Sequence, residues 1–283
     1  MIEIQSLKDI PLEMIYRAFS QAFMDYEMQL DQHELAKMLL RRGFDPGLSF
    51  GAFDQDRLVA FTFNGIGSYQ GVQTAYDTGT GTVKEYRGQG LARLIFNQSI
   101  PYLKKAGIQR YLLEVLQHNE QAVKLYEKLG FEITREFYYF IQQTTSLKFD
   151  FKPLNSVYHM KPVDISELSE LDYSDFTASW QNCHHSIIRS VSDFKAVAVY
   201  LHKEIMAYCI YEPESGDITS LAVAKAHRRA GLGSDLLTYA LQNNPSDQVK
   251  VINIPVEEDG IVAFLSSFNI LPSGKQFEMI REL

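Results

Sequence analysis

Two short turns in this sequence gather residue types that can hold an anion. The first reads Arg87-Gly88-Gln89-Gly90-Leu91-Ala92 and the second Arg228-Arg229-Ala230-Gly231-Leu232-Gly233. Each stands between a strand-like stretch and a run of apolar residues at helical spacing. Such a turn directs unpaired amide N–H groups and a helix N-terminus into one concavity, where a pyrophosphate can accept them. Glycine serves there because a Cβ keeps phosphate oxygens away from the backbone. The helix dipole adds about 0.3–1 kcal/mol for a nearby anion. One basic residue before a helix-opening glycine is commonplace, but two such turns at matching places carry weight. Other phosphate loops do not fit: Gly79-Thr80-Gly81-Thr82-Val83-Lys84 lacks the last glycine of GxGxxG, and no stretch reads GxxxxGK[ST].

The elements that must position these turns follow from periodicity. Leu12 to Phe23 and His33 to Leu40 carry apolar residues at three- and four-residue spacing and predict two amphipathic helices. A hairpin is expected around the Asp54-Gln55-Asp56 turn, then an extended stretch at Gln73 to Val83, the glycine turn, and a helix from Leu91 that Pro101 should kink. A strand at Arg110 to Leu116 precedes a helix with Asn119 as N-cap and Gly130 as C-terminal cap. A last hairpin is expected over Phe131 to Ile141. After the polar run Gln142-Gln143-Thr144-Thr145-Ser146 the series begins again. Val157 to Pro162 reads as a strand, Ile165 to Phe176 and Trp180 to Arg189 as helical, and Phe194 to Tyr211 as a hairpin. An extended Ile218 to Val223, the second glycine turn, a helix carrying Leu236, Leu237, Ala240 and Leu241, and a strand at Val249 to Val256 follow. Turn, helix and strand thus recur after about 140 residues, a duplication at domain scale. The expected domains are 1–145 and 146–283.

Composition narrows the partners. With 283 residues, 46% apolar and 22% charged, the chain is long enough for two ordinary globular domains. A net charge of -8 opposes broad binding to a nucleic-acid backbone and offers no long-range repulsion to a cationic amine. No apolar run approaches the roughly 20 residues of a membrane span. The N-terminus lacks the pattern of a secretory leader, and the two cysteines, Cys183 and Cys209, suggest free thiols, so a cytoplasmic protein is expected. His184 and His185 beside Cys183 find no further ligands at metal spacing, so no metal is expected. Trp180 reads as a packed residue of the second domain.

The N-terminal half resembles the GCN5-related N-acetyltransferases, whose acetyl-CoA loop has the pattern Gln/Arg-x-x-Gly-x-Gly/Ala. The resemblance rests on the extended Ala75 to Val83, the loop from Tyr86 to Ala92, Leu113-Glu114-Val115, and Asn119-x-x-Ala122-x-x-Leu125-Tyr126-x-x-x-Gly130-Phe131. It implies an α/β fold: two tandem domains, each a splayed mixed β-sheet flanked by helices, with acetyl-CoA as co-substrate between the strands ending at Val83 and near Leu116. Arg87, Gly88, Gln89, Gly90, Leu91 and Ala92 would then hold the pyrophosphate, and the backbone of Val83 would bond pantetheine and polarise the thioester carbonyl. Asn119 would contact the pantetheine arm. Tyr126 would reprotonate the departing thiolate, a phenol of pKa about 10 facing a thiol of about 8.5. Arg228, Gly231 and Gly233 would form a second CoA loop.

An amine acceptor must be neutral to attack, and a carboxylate on the central strand can take its proton. Asp77 is the candidate, because alternation places it on the side of residues 79, 81 and 83. Asp217 stands at the same interval before Val223. In the second half, Leu265 replaces the tyrosine, Asn269 the glycine and Glu258 the asparagine, so its catalytic motif is degenerate. The expected activity is acetyl transfer from acetyl-CoA to a primary amine by direct attack. A noncatalytic acyl-CoA-binding or sensing module is the alternative, and a homodimer is compatible with either.

Overall fold

The computed structural model describes residues 1–26, 29–148 and 155–283. The chain divides into two units, Met1–Arg135 with Phe277–Leu283, and Glu136–Gln276.

The first unit runs β1 (Ile2–Ser6), α1 (Leu12–Ala22), α2 (Gln32–Arg42), β2 (Phe50–Asp54), β3 (Arg57–Tyr69), β4 (Val72–Thr82), α3 (Leu91–Lys105), β5 (Arg110–Leu116) and α4 (Glu120–Lys128). It also takes in the first residues of β6 (Glu132–Gln143). Strands β1 to β4 are antiparallel neighbours, whereas β4 and β5 run parallel and pair only from Thr74 to Tyr76 before parting. That splay makes the site possible. Helices α1 and α2 bury Ile15, Phe19, Leu35 and Leu39 with Phe61 and Phe63 of β3. Helices α3 and α4 bury Phe96, Leu103, Val123 and Tyr126 with Ala75, Tyr111, Leu113 and Val115. Asp31 caps α2 in a capping box with Glu34, and Asn119 caps α4 through its side chain. Helix α3 runs through Pro101 without ending.

The hairpin expected over Phe131 to Ile141 does not form: β6 is one continuous strand of 12 residues. Its sequence holds no Gly, Pro, Asn or Asp with which to turn. The strand beside β5 comes instead from the far end of the chain, where Phe277 to Glu282 of β12 (Pro272–Glu282) contribute the buried Met279.

The second unit contains β7 (Tyr158–Pro162), α5 (His184–Arg189), β8 (Lys195–Leu201), β9 (Glu204–Glu212), β10 (Asp217–Val223), α6 (Leu232–Gln242), β11 (Gln248–Pro255), α7 (Asp259–Ser267) and the start of β12 (Pro272–Glu282). Strands β10 and β11 are parallel and meet at the single pair Asp217 and Lys250. The helix expected over Ile165 to Phe176 shrinks to a 3-10 turn, Ile165–Leu168. Short polar side chains bond their own backbone there, Asp164 to Ser166 and Ser174 to the Phe176 carbonyl, in competition with a helical ladder. The Trp180 to Arg189 patch is helical only from His184. Among the described residues, no helix is long and apolar enough to cross a membrane, and no group of three or more His, Cys, Asp or Glu could hold a metal ion. Cys183 and Cys209 are unbridged.

Candidate active site

Past Thr82 the chain makes a 3-10 turn, Lys84–Tyr86, and enters α3 through two left-handed glycines, Gly88 at φ 77° and Gly90 at φ 74°. Gly90 is the N-cap, so the amides of Leu91, Ala92 and Arg93 have no helical carbonyl four residues back. A Cβ built on Gly88 or Gly90 would meet no heavy atom within 4 Å, so the space before these amides is open. Leu91 is buried and anchors the turn beside Ile95. Arg87 points elsewhere. Its guanidinium donates to the carbonyls of Thr82 (3.2 Å) and Ala22 (2.8 Å) and lies 3.4 Å from Asp25, strapping the turn to the end of α1.

Val83 has no free amide. Its N–H bonds the Val59 carbonyl at 2.9 Å, and its own carbonyl accepts the Tyr86 N–H at 2.9 Å. The thioester-polarising amide expected at Val83 is therefore already committed. The two-residue period of the β3–β4 ladder turns the amide of Gly81 toward β3 as well, and those of Thr80 and Thr82 toward the side where β5 departs.

The expected facing of Asp77 is also corrected. Phe63 pairs with Gly79 and Asn64 with Asp77, so Thr78 is an extra residue, and the bulge resets the alternation. Asp77 thus faces away from Gly79 and Gly81 and toward α4. There the Tyr126 hydroxyl donates to Asp77 Oδ2 at 3.1 Å, Thr80 Oγ1 donates to the same oxygen at 2.8 Å, and the Gly79 N–H donates to Oδ1 at 2.9 Å. Both side chains are nearly sealed, Asp77 at 7% and Tyr126 at 8% exposure. Burial pushes the Asp77 carboxyl up to about 6 against the pull of Thr80, Tyr126 and Gly79. Burial and then the Asp77 charge hold the Tyr126 phenol well above its ordinary value. Phe96 and Phe131 meet the Tyr126 ring edge-on at 6.0 and 5.7 Å. Asn119, beyond capping α4, donates to the Tyr26 hydroxyl at 3.2 Å.

One carboxylate had no role assigned from sequence. Glu114 on β5 accepts the Tyr76 hydroxyl at 3.2 Å, and both lie on the sheet face opposite Asp77. Its signal was a lone charge inside the apolar run Tyr111 to Leu116.

In the second unit Gly231 is left-handed at φ 91° and caps α6. Arg228 repeats the strap, bonding the carbonyls of Val223 (3.0 Å) and Tyr173 (3.2 Å) and pairing with Asp175 (2.9 Å). Gly233 is helical and ordinary. These bonds fix the true register between halves: Ala224, whose N–H bonds the Met206 carbonyl, matches Val83, and the bulge residue Thr219 matches Thr78. Asp217 therefore corresponds to Tyr76, and Ile218 occupies the place of Asp77. The sequence pairing of Asp77 with Asp217 slips by one residue, because it was anchored on two valines rather than on the bulge. Matching α4 with α7 through their N-caps puts Asn253 at the place of Glu114 and Leu265 at that of Tyr126. Asn253 donates to Ser179 Oγ at 2.7 Å, and Asn182 donates to the Ile252 carbonyl at 3.0 Å, so the 179–182 segment lies against β11. Trp180 within it is buried and carries Arg189 over its ring at 5.2 Å.

Comparison with known proteins returned the acetyltransferase (GNAT) family, matched over residues 12–131 and 165–263. N-alpha-acetyltransferase 30 of Schizosaccharomyces pombe is 30% identical over 151 residues, covering 53% of this chain and 93% of that protein. Mycothiol acetyltransferase of Rhodococcus jostii is 33% identical over 108 residues, 36% of this chain and only 35% of that protein. Among solved structures, a tandem GNAT protein from the clavulanic acid biosynthesis pathway superposes with TM-score 0.75 at 12% identity, over 100% of this chain and 98% of that one. A GCN5-related N-acetyltransferase from Sphaerobacter thermophilus gives TM-score 0.73 at 12% identity, over 99% and 95%.

Proposed function

Because this chain belongs to the acetyltransferase (GNAT) family, we propose that its N-terminal domain, placed by sequence at 1–145, transfers acetyl from acetyl-CoA to a primary amine by direct attack. The amides from Gly88 to Ala92 hold the pyrophosphate, with Arg87 keeping the turn in shape. Thr80 and Thr82 offer backbone groups to the pantetheine arm where β4 and β5 part, and Asn119 stands beside it. The amine lone pair attacks the carbonyl carbon, the C–S bond breaks with its electron pair to sulfur, and Tyr126 supplies the proton that sulfur needs. Glu114, on the opposite face, takes the amine proton directly or through water. Asp77 is poorly suited to that task, because three donors already occupy its oxygens. The observation that carries this reading is the buried Tyr126 phenol bonded to Asp77 where β4 and β5 part, in a unit whose β4 leads into an amide-lined turn with open space before it.

An α-amine is the favoured acceptor, since a relative covered over 93% of its length is named an N-alpha-acetyltransferase. At pKa about 7.7–8.0 an α-amine is neutral about a tenth of the time at pH 7, whereas a lysine-like amine of about 10.4 almost never is. The C-terminal domain, 146–283, carries no chemistry in this reading. Ile218, Asn253 and Leu265 stand where Asp77, Glu114 and Tyr126 do, and only the strapped glycine turn remains, which suits a binding or sensing role. A panel of peptide N-termini, lysine peptides, polyamines and small amines, incubated with acetyl-CoA and read by thiol release, tests the proposal. Acetylated product with peptide N-termini is expected; no release with any amine would overturn it.

A further inference from the structure

The proposed reaction leaves the buried carboxylate that accepts the Tyr126 hydroxyl without a task. We infer that Asp77 is a positioning residue for Tyr126: it fixes the direction of the phenol O–H and keeps that phenol protonated. This rests on the reading of Tyr126 as the proton donor and deepens it. The geometry supplies the argument. Asp77 Oδ2 receives both the Tyr126 and Thr80 hydroxyls, at 3.1 and 2.8 Å, while Gly79 pins Oδ1 at 2.9 Å. Every partner is a donor, so the carboxylate is held as an anion whose lone pairs are spoken for. The Thr78 bulge is what turns Asp77 onto this face.

Ionising Tyr126 would place a phenolate beside that anion with little water to screen the pair. The direction of the Tyr126 shift, upward through burial and then Asp77, agrees. The other titratable or charged groups coupled to the pair are Tyr111 from β5, Tyr76 from β4, whose hydroxyl donates to Glu114, Tyr26 from the segment after α1, and Arg42 from α2. Arg42 is engaged with the Thr78 carbonyl at 2.8 Å, and Tyr111 with the Asn64 side chain. None of these replaces the Asp77 bond to the phenol. Ile218 and Leu265 in the second unit show the pair lost together.

The test uses the full chain labelled with [13Cζ]tyrosine, the Tyr126 resonance being assigned by its loss in Tyr126→Phe. In the parent no phenolate signal from Tyr126 should develop before alkaline unfolding. In Asp77→Asn one should develop at least about one pH unit below that limit. Asp77→Ser, smaller and equally neutral, gives the same readout if the amide disturbs folding. Absence of a phenolate signal in both variants overturns the inference. Turnover on an acceptor from the amine panel adds a second readout. Asp77→Asn should slow the parent at least about tenfold but change Tyr126→Phe by less than about twofold. Additive losses would mean that Asp77 acts on its own and would also overturn it. Wild-type turnover in Tyr126→Phe would instead remove Tyr126 as the proton donor, while the titration would still decide whether Asp77 sets its protonation.

Discussion

Tyr126 and Asp77 bring opposite liabilities to one hydrogen bond. A buried phenol gives up its proton reluctantly, and a buried carboxylate keeps its charge at a cost. Removing the phenol oxygen in Tyr126→Phe leaves the ring contacts with Phe96 and Phe131 in place. Turnover should therefore fall by roughly 10²–10⁴ with acetyl-CoA affinity nearly intact, as expected when only proton transfer is lost; steady-state rates and calorimetry on one preparation measure both. Asp77 has a signature in stability. Its carboxyl ionises at 3.8 when unperturbed and at about 6 in the fold, so between those values the folded chain binds more protons than the unfolded one. Stability should then fall as pH rises through that window, by on the order of 3 kcal/mol from this group, and level off above it. Urea unfolding of Asp77→Asn at pH 4 and pH 7 should show that much less difference than the parent. An equal difference would mean that another carboxyl dominates the acid limb.

At the scale of elements, the same device is built twice. A strand ends, an arginine straps the following turn to carbonyls on two sides, and a left-handed glycine opens a helix. Gly90→Val asks a β-branched residue to hold φ 74° and fills the open space before the α3 amides. Acetyl-CoA affinity should drop at least about tenfold, the worth of one charge-assisted hydrogen bond, and turnover should drop with it. Gly231→Val makes the same change at φ 91° in the second unit. It should lower CoA stoichiometry or melting temperature and spare most turnover. Turnover lost in the Gly231 variant but kept in the Gly90 variant would assign the chemistry to the second unit.

For the whole molecule, the last residues matter far from their place in sequence. Phe277–Leu283 belongs to the first unit, where Met279 is fully buried with Tyr111, Leu113 and Phe131. Glu278, at 2% exposure, accepts Arg135 at 2.9 and 2.5 Å, and Arg135 also donates to the Tyr69 hydroxyl at 2.7 Å. Deleting 277–283 should take the Glu278 carboxylate from Arg135 and open the edge of β5, with loss of cooperative unfolding and of activity assigned to the first half. Met279→Ala is the milder test, with an expected cost of about 2–5 kcal/mol in denaturant unfolding. A fully active, cooperatively folded 1–276 chain would show that the strand is dispensable.

Much of this was legible in the residues themselves. Periodicity located α1 and α2, the β2–β3 hairpin and the strand at β5, because amphipathic patterns report which face is buried. The glycine turns announced the starts of α3 and α6, and Asn119, Tyr126 and Gly130 stood in register because helix caps and faces are set by neighbours in sequence. The facing of Asp77 was not legible, since one bulge residue inverts every side chain beyond it and nothing in Asp77-Thr78-Gly79 marks where it falls. Nor was the committed amide of Val83, which depends on the register of β3, or the strap role of Arg87, which depends on where α1 ends in space. The continuous β6 and the return of the last strand are decisions of the same kind. A β-strand is completed by whichever partner tertiary packing brings to its edge, and no local pattern names that partner.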